Sequence, residues 1–203
     1  MKSIDPNTLS LKENYKFLTG SIIPRPIAFV STLSEEGVLN AAPFSYFNAL
    51  TADPPLIAIS IGRKDGVQKD TSRNAAAKGE FVVHIPDESY IEAVNKTAAN
   101  LPPDESEVDL AKLTPVDSIK VKIPGIAEAN IRMECVVEQI IPLGGTPEKP
   151  ATDLLIGKVV HYHISDDLYK DGKIHAGKLR PVGRLAGTNY TKLGELFSLD
   201  RPE

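Results

Sequence analysis

Pro26-Ile-Ala-Phe-Val-Ser-Thr32 is a short run of β-favouring residues, and it predicts the first strand of the protein. The polar segment Ser34-Glu-Glu-Gly37 follows and ends on a glycine, which is typical of a turn between two strands. We therefore expect the chain from Val38 to Phe47 to return antiparallel as the second arm of a hairpin. Within that arm, Pro43 should lie at a bend or on the edge of the sheet, because proline has no N–H to donate.

Four further segments have the composition or periodicity of strands. Residues 56–61 form an apolar run after the rigid turn Asp53-Pro-Pro55, which is typical of a buried strand. In residues 131–138, apolar side chains alternate with polar ones that include Glu134, so this strand should be antiparallel and half-buried. The other two segments are 80–85 and 154–164. Strands joined by hairpins and long returns predict a mainly β fold with peripheral helices and a closed or partly closed β-barrel.

Three segments are predicted to be helices. Leu11–Leu18 is amphipathic and should stop at Gly20. Arg73–Lys78 contains helix formers between a capping residue and a glycine stop. Asp87–Ala99 has the polarity and spacing of a surface helix. Irregular segments are expected at 101–106, 144–150 and 178–187.

Composition restricts the class of protein. The chain has 203 residues, 41% of them hydrophobic and 25% charged, which suits one soluble domain over 1–203. The net charge of −4 includes no long basic run, so we expect neither a nucleic-acid nor a membrane partner. The polar amino terminus predicts a cytoplasmic protein. Cys135, the single cysteine, is interpreted as a core residue.

Common nucleotide-binding motifs are missing from the sequence. Neither G-x-G-x-x-G after a strand nor G-x-x-x-x-G-K-[ST] occurs. Lys69-Asp70-Thr71 at a helix start nevertheless offers an ammonium, a hydroxyl and free N–H groups, which suit a terminal phosphate. Asp70 would then cap the helix and face away from the phosphate. The alternative is a solvated lysine before an ordinary capped helix.

A second group of residues suits a flat, amphipathic ring. Asn40-Ala-Ala-Pro-Phe-Ser-Tyr-Phe-Asn48 combines small residues, a proline and clustered aromatics, although a packed strand and turn would have the same composition. Pro24-Arg-Pro26 fixes an extended entry to the first strand, where Arg25 would ordinarily be exposed.

These motifs together resemble those of the flavin reductase-like, FMN-binding split-barrel family, which includes flavoredoxin and the reductase components of two-component monooxygenases. The resemblance spans about residues 14–190. It rests on segments that occur in the family's order and spacing: 24–32, 40–47, 53–55, 69–71, 157–160 and 184–190. One departure is His84, where relatives often carry asparagine, so the substrate side is expected to differ.

The resemblance implies a Greek-key split barrel that forms a homodimer, with FMN near the subunit interface. The phosphate would lie near Ser31, Thr32, Lys69 and Thr71, and the ring system near residues 45–48. Arg25 and Tyr190 match positions near the cofactor. The full set of expected cofactor-binding residues is Arg25, Ser31, Thr32, Asn40, Ser45, Tyr46, Phe47, Asn48, Lys69, Thr71 and Tyr190.

The resemblance also implies a reaction. NADH or NADPH would reduce FMN, and the electrons would pass to an acceptor such as a partner monooxygenase; no dedicated catalytic residue is expected, because the flavin performs the redox chemistry. A first alternative is a flavoredoxin-like electron-transfer protein that holds FMN tightly. Two others remain: a binding module without redox turnover, and a metal protein using His161 and His163, which share one strand face.

Overall fold

The computed structural model describes residues 1–102 and 104–202, and most of its strands belong to one seven-stranded antiparallel sheet. The strands are β1 (Ala28–Leu33), β2 (Leu39–Phe44), β3 (Phe47–Ala52), β4 (Pro55–Gly62), β5 (Glu80–His84), β6 (Pro115–Val116), β7 (Gly125–Ile126), β8 (Ile131–Leu143), β9 (Thr152–Ile164), β10 (Tyr169–Lys170), β11 (Lys173–Ile174), β12 (Val182–Arg184) and β13 (Tyr190–Lys192). The helices are α1 (Leu11–Ser21), α2 (Asp70–Lys78), α3 (Ile91–Lys96), α4 (Glu107–Ala111) and α5 (Ala176–Leu179).

The large sheet has the order β2-β1-β5-β8-β9-β4-β3. Its two edge strands, β2 and β3, are consecutive in the chain and are joined only by Ser45 and Tyr46. No ladder joins the two edges within residues 1–102 and 104–202, although the Ser60 N–H donates to the Tyr46 carbonyl oxygen at 2.8 Å. The protein is therefore mainly β with peripheral helices, as predicted, and its sheet curls until the edges meet at one short connection.

The predicted β1–β2 hairpin is confirmed. Ala28 pairs with Phe44 and Leu33 with Leu39 around a turn in which Gly37 has a φ of +88°, a conformation that favours glycine. Pro43 lies on the outer strand of the sheet, as expected. The second arm is shorter than predicted, because the chain leaves β2 after Phe44 and starts β3 at Phe47.

The β8–β9 hairpin forms the centre of the sheet. Its strands are long enough to serve different neighbours: β5 pairs with the first half of β8, and β4 pairs with the first half of β9. The register shifts between Glu134 and Cys135 and again between Val137 and Gln139. Such irregularities bend a strand, which suits a sheet that must curl.

Two main apolar clusters occupy the two sides of this sheet. Phe81 lies in the first with Ile59, Leu155 and Cys135, which is buried as expected. Gly157 of β9 makes room for the Phe81 ring, because a Cβ at Gly157 would lie 2.2 Å from Phe81 Cζ. The second cluster joins β1 to α3 and α4; its members include Phe29, Tyr90, Val94 and Val108.

The helix boundaries correct several predictions. Helix α1 continues through Gly20 to Ser21, after starting from a capping box between Ser10 and Glu13. Helix α2 starts at Asp70, which pairs with Arg73 instead of capping the helix. The predicted 87–99 helix shrinks to Ile91–Lys96, because the Asp87 carboxylate accepts the Ser89 N–H at 2.8 Å and fixes a turn there.

Other segments expected to be irregular contain short elements. The segment 178–187 contributes β12, which pairs with β13. The loop predicted at 101–106 includes Pro103, which lies outside the described residues. None of the helices in the described ranges combines the length and the apolar character that a bilayer crossing requires.

The polar face of β8 is the largest error of the strand predictions. Glu134 is fully buried, because the segment 119–121 folds over it. Burial alone would raise its pKa, but hydrogen bonds from Ile119 N–H, from His163 and from two further backbone N–H groups lower the pKa to about 2. The strand is therefore covered on both faces at this point.

Candidate functional site

The first candidate site is a cleft of about 510 Å³ at the start of α2. Its walls are β2, the loop between β4 and α2, the first turn of α2, the segment 97–101 and Glu107 of α4. Asn40, Lys69 and Thr71, all predicted from the sequence, lie on these walls. The structure thus brings together residues from two separate motifs.

The start of α2 supplies the positive character of this cleft. The first N–H groups of a helix have no intrahelical acceptor and, with the helix dipole, favour an anion. Lys69 is the N-cap residue, and its side chain makes no capping hydrogen bond. Its ammonium is exposed and lies 5.8 Å from the centroid of the Phe44 ring. These groups suit a phosphate monoester.

A buried carboxylate holds this helix start in place. Asp153 of β9 accepts hydrogen bonds from Ser72 Oγ at 2.8 Å, Gln68 Nε2 at 3.2 Å and Arg63 Nε at 3.0 Å. Burial opposes its ionisation, but these three partners together lower the pKa of Asp153. The loop and the first turn of α2 are therefore anchored to the sheet on either side of Lys69.

A chain of polar side chains runs beneath the cleft. Asn40 Oδ1 lies 3.2 Å from Thr32 Oγ1 and 3.1 Å from Thr71 Oγ1, and the Asn40 amide donates to Glu107 Oε2 at 2.9 Å. Asn74 Nδ2 donates to Thr32 Oγ1 at 3.3 Å. Within the described residues, no buried side-chain nitrogen or oxygen lacks a partner, so this chain is internally satisfied.

The second candidate site is a cleft of about 350 Å³ beside the β2–β3 connection. Arg25 and the predicted residues Ser45, Tyr46, Phe47 and Asn48 line it; the remaining wall is Leu18, Ile22, Pro24 and Pro26. Pro43 and Phe44 line the first cleft, so the two clefts lie along consecutive residues of one segment. An elongated ligand with a phosphate and an apolar ring could contact both.

Arg25 differs from the ordinary exposed arginine expected at this position. Its side chain is buried, and its guanidinium donates to the carbonyl oxygens of Thr19 and Ile22, both at 2.7 Å, and of Leu185 at 2.9 Å. Arg25 therefore ties the end of α1 and the segment after β12 to the wall of the second cleft.

Three predicted residues line neither cleft. Thr32 is buried and belongs to the polar chain beneath the first cleft, whereas Ser31 and Tyr190 lie elsewhere. Ser31 is buried, and its hydroxyl donates to the Pro124 carbonyl at 2.7 Å, on the sheet face opposite to its neighbour Thr32. The Tyr190 hydroxyl donates to Asn95 at 2.9 Å, and its ring lies against the Arg184 guanidinium. Neither side chain joins the polar chain beneath the first cleft.

His84 is also remote from both clefts. It is fully buried, and its ring nitrogens contact the Phe29 carbonyl at 2.8 Å and the Ile126 N–H at 2.9 Å. Burial lowers the pKa of His84 to about 4. Both ring nitrogens of His84 thus have backbone partners. Because His84 lines neither cleft, it does not support the expected difference in how the substrate is bound.

His161 and His163, which were considered for a metal site, contact each other, and His163 also contacts Glu134. The His161 and His163 rings lie edge to face at 4.8 Å, and His163 Nε2 lies 2.6 Å from Glu134 Oε1. Across residues 1–102 and 104–202, no group of three or more His, Cys, Asp or Glu side chains could hold a metal ion. The His163 contact is instead part of the support of Glu134.

Sequence reasoning missed Glu107, Asp153 and the segment 97–101. Glu107 lay at the end of a loop expected to be irregular, and Asp153 follows another such loop. A signal for Asp153 was available, since an acidic residue entering an apolar strand requires a partner when buried. For Glu107 the sequence contains no comparable signal.

Comparisons with known proteins give one consistent result. The model of the family described as "flavin reductase like domain" matches residues 19–180. The crystal structure of nitrilotriacetate monooxygenase component B from Bacillus cereus is 64% identical, with a TM-score of 0.97 and coverage of 98% of both chains.

Two further solved structures resemble the chain. The 2-nitrobenzoate 2-nitroreductase of Pseudomonas fluorescens is 30% identical, with a TM-score of 0.89 and coverage of 99% of this chain and 96% of that one. Flavoredoxin of Desulfovibrio vulgaris shares the fold at 22% identity, with a TM-score of 0.76 and coverage of 88% and 91%. The chain therefore belongs to the flavin reductase-like family.

Proposed function

We propose that this protein binds FMN across the two clefts, accepts reducing equivalents from NADH or NADPH, and passes them to an acceptor such as a partner monooxygenase. The observation that carries this proposal is the position of the α2 start, in the first cleft, next to the apolar second cleft along residues 45–48. The similarity to a monooxygenase component B supports the choice of partner.

The donor set fits a flavin monophosphate. Lys69 and the first N–H groups of α2 would hold the phosphate, and Asn40 and Thr71 lie beside them. Tyr46 and Phe47 would contact the ring system in the second cleft. We leave Ser31 and Tyr190 as family-based predictions, since their hydroxyls have other partners.

We further propose that the curled sheet is a Greek-key split barrel and that two copies form a homodimer with FMN near their interface. Exposed apolar side chains support this arrangement: Leu18 on α1, Ile22 directly after it, and Tyr46 and Leu50 at the β3 edge. Leu18, Ile22 and Tyr46 also line the second cleft, so a second copy placed there would cover it. The cytoplasmic location stays a prediction from the polar amino terminus.

Bound FMN would supply hydride acceptance and one- or two-electron release. The residues of this chain would bind, orient and shield it. The α2 start would fix the phosphate end of FMN, and the apolar wall at Tyr46 and Phe47 would limit access of water to the ring end. No side chain of the chain is required to transfer a proton in this scheme.

An electron carrier with permanently bound FMN is the second candidate, and the shared fold of flavoredoxin favours it. The two functions differ in the response to nicotinamide. A carrier would retain its flavin through purification and would not be reduced by NADH or NADPH at a catalytic rate.

The test begins with the absorption spectrum of the purified protein before and after FMN is added, followed by NADH or NADPH without oxygen. We expect FMN to bind and its visible band to bleach over many turnovers. Lys69→Ala should weaken FMN binding by about tenfold, since a charge-assisted contact is lost. Lys78→Ala, at the opposite end of α2, is the matched control and should change the FMN affinity little. A wild-type protein that binds no FMN would contradict the proposal.

A further inference from the structure

Glu107 is an acidic side chain in a cleft that we assign to an anion, and this inference rests on that proposed function. Glu107 is only 6% exposed and lines the first cleft. The preceding residue fixes its position, because Ser106 Oγ donates to the Leu39 carbonyl of β2 at 2.6 Å. Its carboxylate accepts the Asn40 amide N–H at 2.9 Å.

The ionised carboxylate sets the direction of every hydrogen bond in the polar chain. A carboxylate only accepts, so the Asn40 NH₂ must face Glu107 and the Asn40 carbonyl must face Thr71 and Thr32. The Thr71 hydroxyl then donates inward to Asn40 at 3.1 Å. Because a hydroxyl has one proton, Thr71 cannot also donate to a phosphate in this state.

Protonation of Glu107 would reverse this direction. A carboxylic acid can donate to the Asn40 carbonyl, which turns the Asn40 NH₂ toward the two threonines. The buried Thr32 hydroxyl must then donate to Asn74, whose side-chain amide turns so that its oxygen accepts. The Thr71 oxygen then accepts from Asn40, and its proton is free to point into the cleft. The same proton, taken from solvent, removes the negative charge that would repel a phosphate.

We propose that Glu107 is a positioning residue that couples phosphate binding to proton uptake: ionised, it holds the Thr71 proton inward, and protonated, it releases that proton to the ligand. The site would therefore bind a phosphate-bearing flavin more tightly when Glu107 is neutral. A flavin without a phosphate would be insensitive to Glu107.

The surroundings of Glu107 permit this protonation. Burial raises its pKa, and Asp70 of α2 raises it further, against hydrogen bonds from the backbone of Glu107 and Ala41 and from Asn40. The other charged residues lining the cleft are Lys64, Asp65, Lys69 and Arg73. Neither β2 nor the segment 97–101 contributes a charged side chain to this cleft.

The experiment measures FMN and riboflavin affinity against pH for the full-length wild type, Glu107→Gln and Glu105→Gln. Glutamine mimics the neutral acid, and Glu105 is an exposed neighbour that undergoes the same chemical change. At pH 8, Glu107→Gln should bind FMN about tenfold more tightly than the wild type, with riboflavin affinity unchanged. The difference in FMN affinity between the two proteins should disappear at low pH, where wild-type Glu107 is already protonated.

FMN also titrates in this pH range, and comparing the wild type with Glu107→Gln separates that effect from the titration of Glu107. The FMN phosphate gains a second charge near pH 6 and is common to both proteins, so only the difference between wild type and Glu107→Gln reports Glu107. Calorimetry of wild-type FMN binding at pH 8, in two buffers of different ionisation enthalpy, adds a test that does not need the variant. The FMN phosphate is already a dianion at this pH, so binding without net proton uptake there excludes protonation of Glu107.

Each outcome has one meaning. Proton uptake by the wild type with a flattened profile in Glu107→Gln supports the proposal. Wild-type FMN binding without proton uptake, or an unchanged profile in a folded Glu107→Gln, overturns the role of Glu107 and leaves the proposed function standing. A wild type that binds no FMN at any pH overturns both.

Discussion

His84 shows how a single buried side chain couples the fold to pH. It bridges β1 and β7 through the Phe29 carbonyl and the Ile126 N–H, and both contacts suit the neutral imidazole with its proton on Nδ1. The sequence indicated only that this residue departs from the family. Its role became evident from the backbone groups on either side, which are distant in the chain.

We predict that the free energy of unfolding falls as the pH drops from about 6.5 to about 4, because the unfolded state binds a proton that the buried His84 resists. At 1.36 kcal/mol per pH unit, the loss approaches about 3 kcal/mol. Urea unfolding across this range measures it. His84→Gln keeps one donor and one acceptor without the titration, so its curve should be flatter; an equally steep curve would contradict the prediction.

Strands and turns that depend on the local sequence could be predicted. Features that depend on packing against a distant segment of the chain could not. The β1–β2 hairpin and β4 follow from β propensity, turn residues and prolines, which act locally. Glu134 was placed on an open polar face, because nothing in β8 shows that the segment 119–121 folds over it. In the same way, Lys69 and Asn40 were found by motif, whereas Glu107 required the packing of α4 on β2.

The contact between β9 and β5 gives a prediction about packing. Gly157→Ala would place a methyl group against the Phe81 ring, with its Cβ only 2.2 Å from the nearest ring carbon, in a closely packed core. We expect a loss of about 1–3 kcal/mol in the free energy of unfolding, measured in urea. The matched change is Gly62→Ala on β4, where a Cβ meets nothing within 4 Å. Equal stability of the two variants would show that Phe81 has room to move.

At the scale of the whole molecule, the exposed apolar side chains on α1 and at the β3 edge predict the dimer. Leu18→Glu would place a charge on this surface, and we expect the dimer dissociation constant to rise about thirtyfold or more, as at an interface hot spot. Sedimentation velocity measures it. Ile119→Glu changes another exposed apolar side chain, away from this surface, and should not alter association. A wild type that is monomeric at high concentration would rule the dimer out.

The two-sided pairing of the β8–β9 hairpin has a consequence for how the chain reaches its folded form. Its strands are joined by the short segment 144–151, whereas β4 and β5 must arrive from far along the chain, as in the pairing of Leu56 with Lys158. Local closure is faster than distant closure, so the hairpin is available early as a template. The first cleft needs β2, α2 and α4 together, so it is completed late. A ligand that recognises only the finished cleft should therefore slow unfolding and leave the rate of folding nearly unchanged.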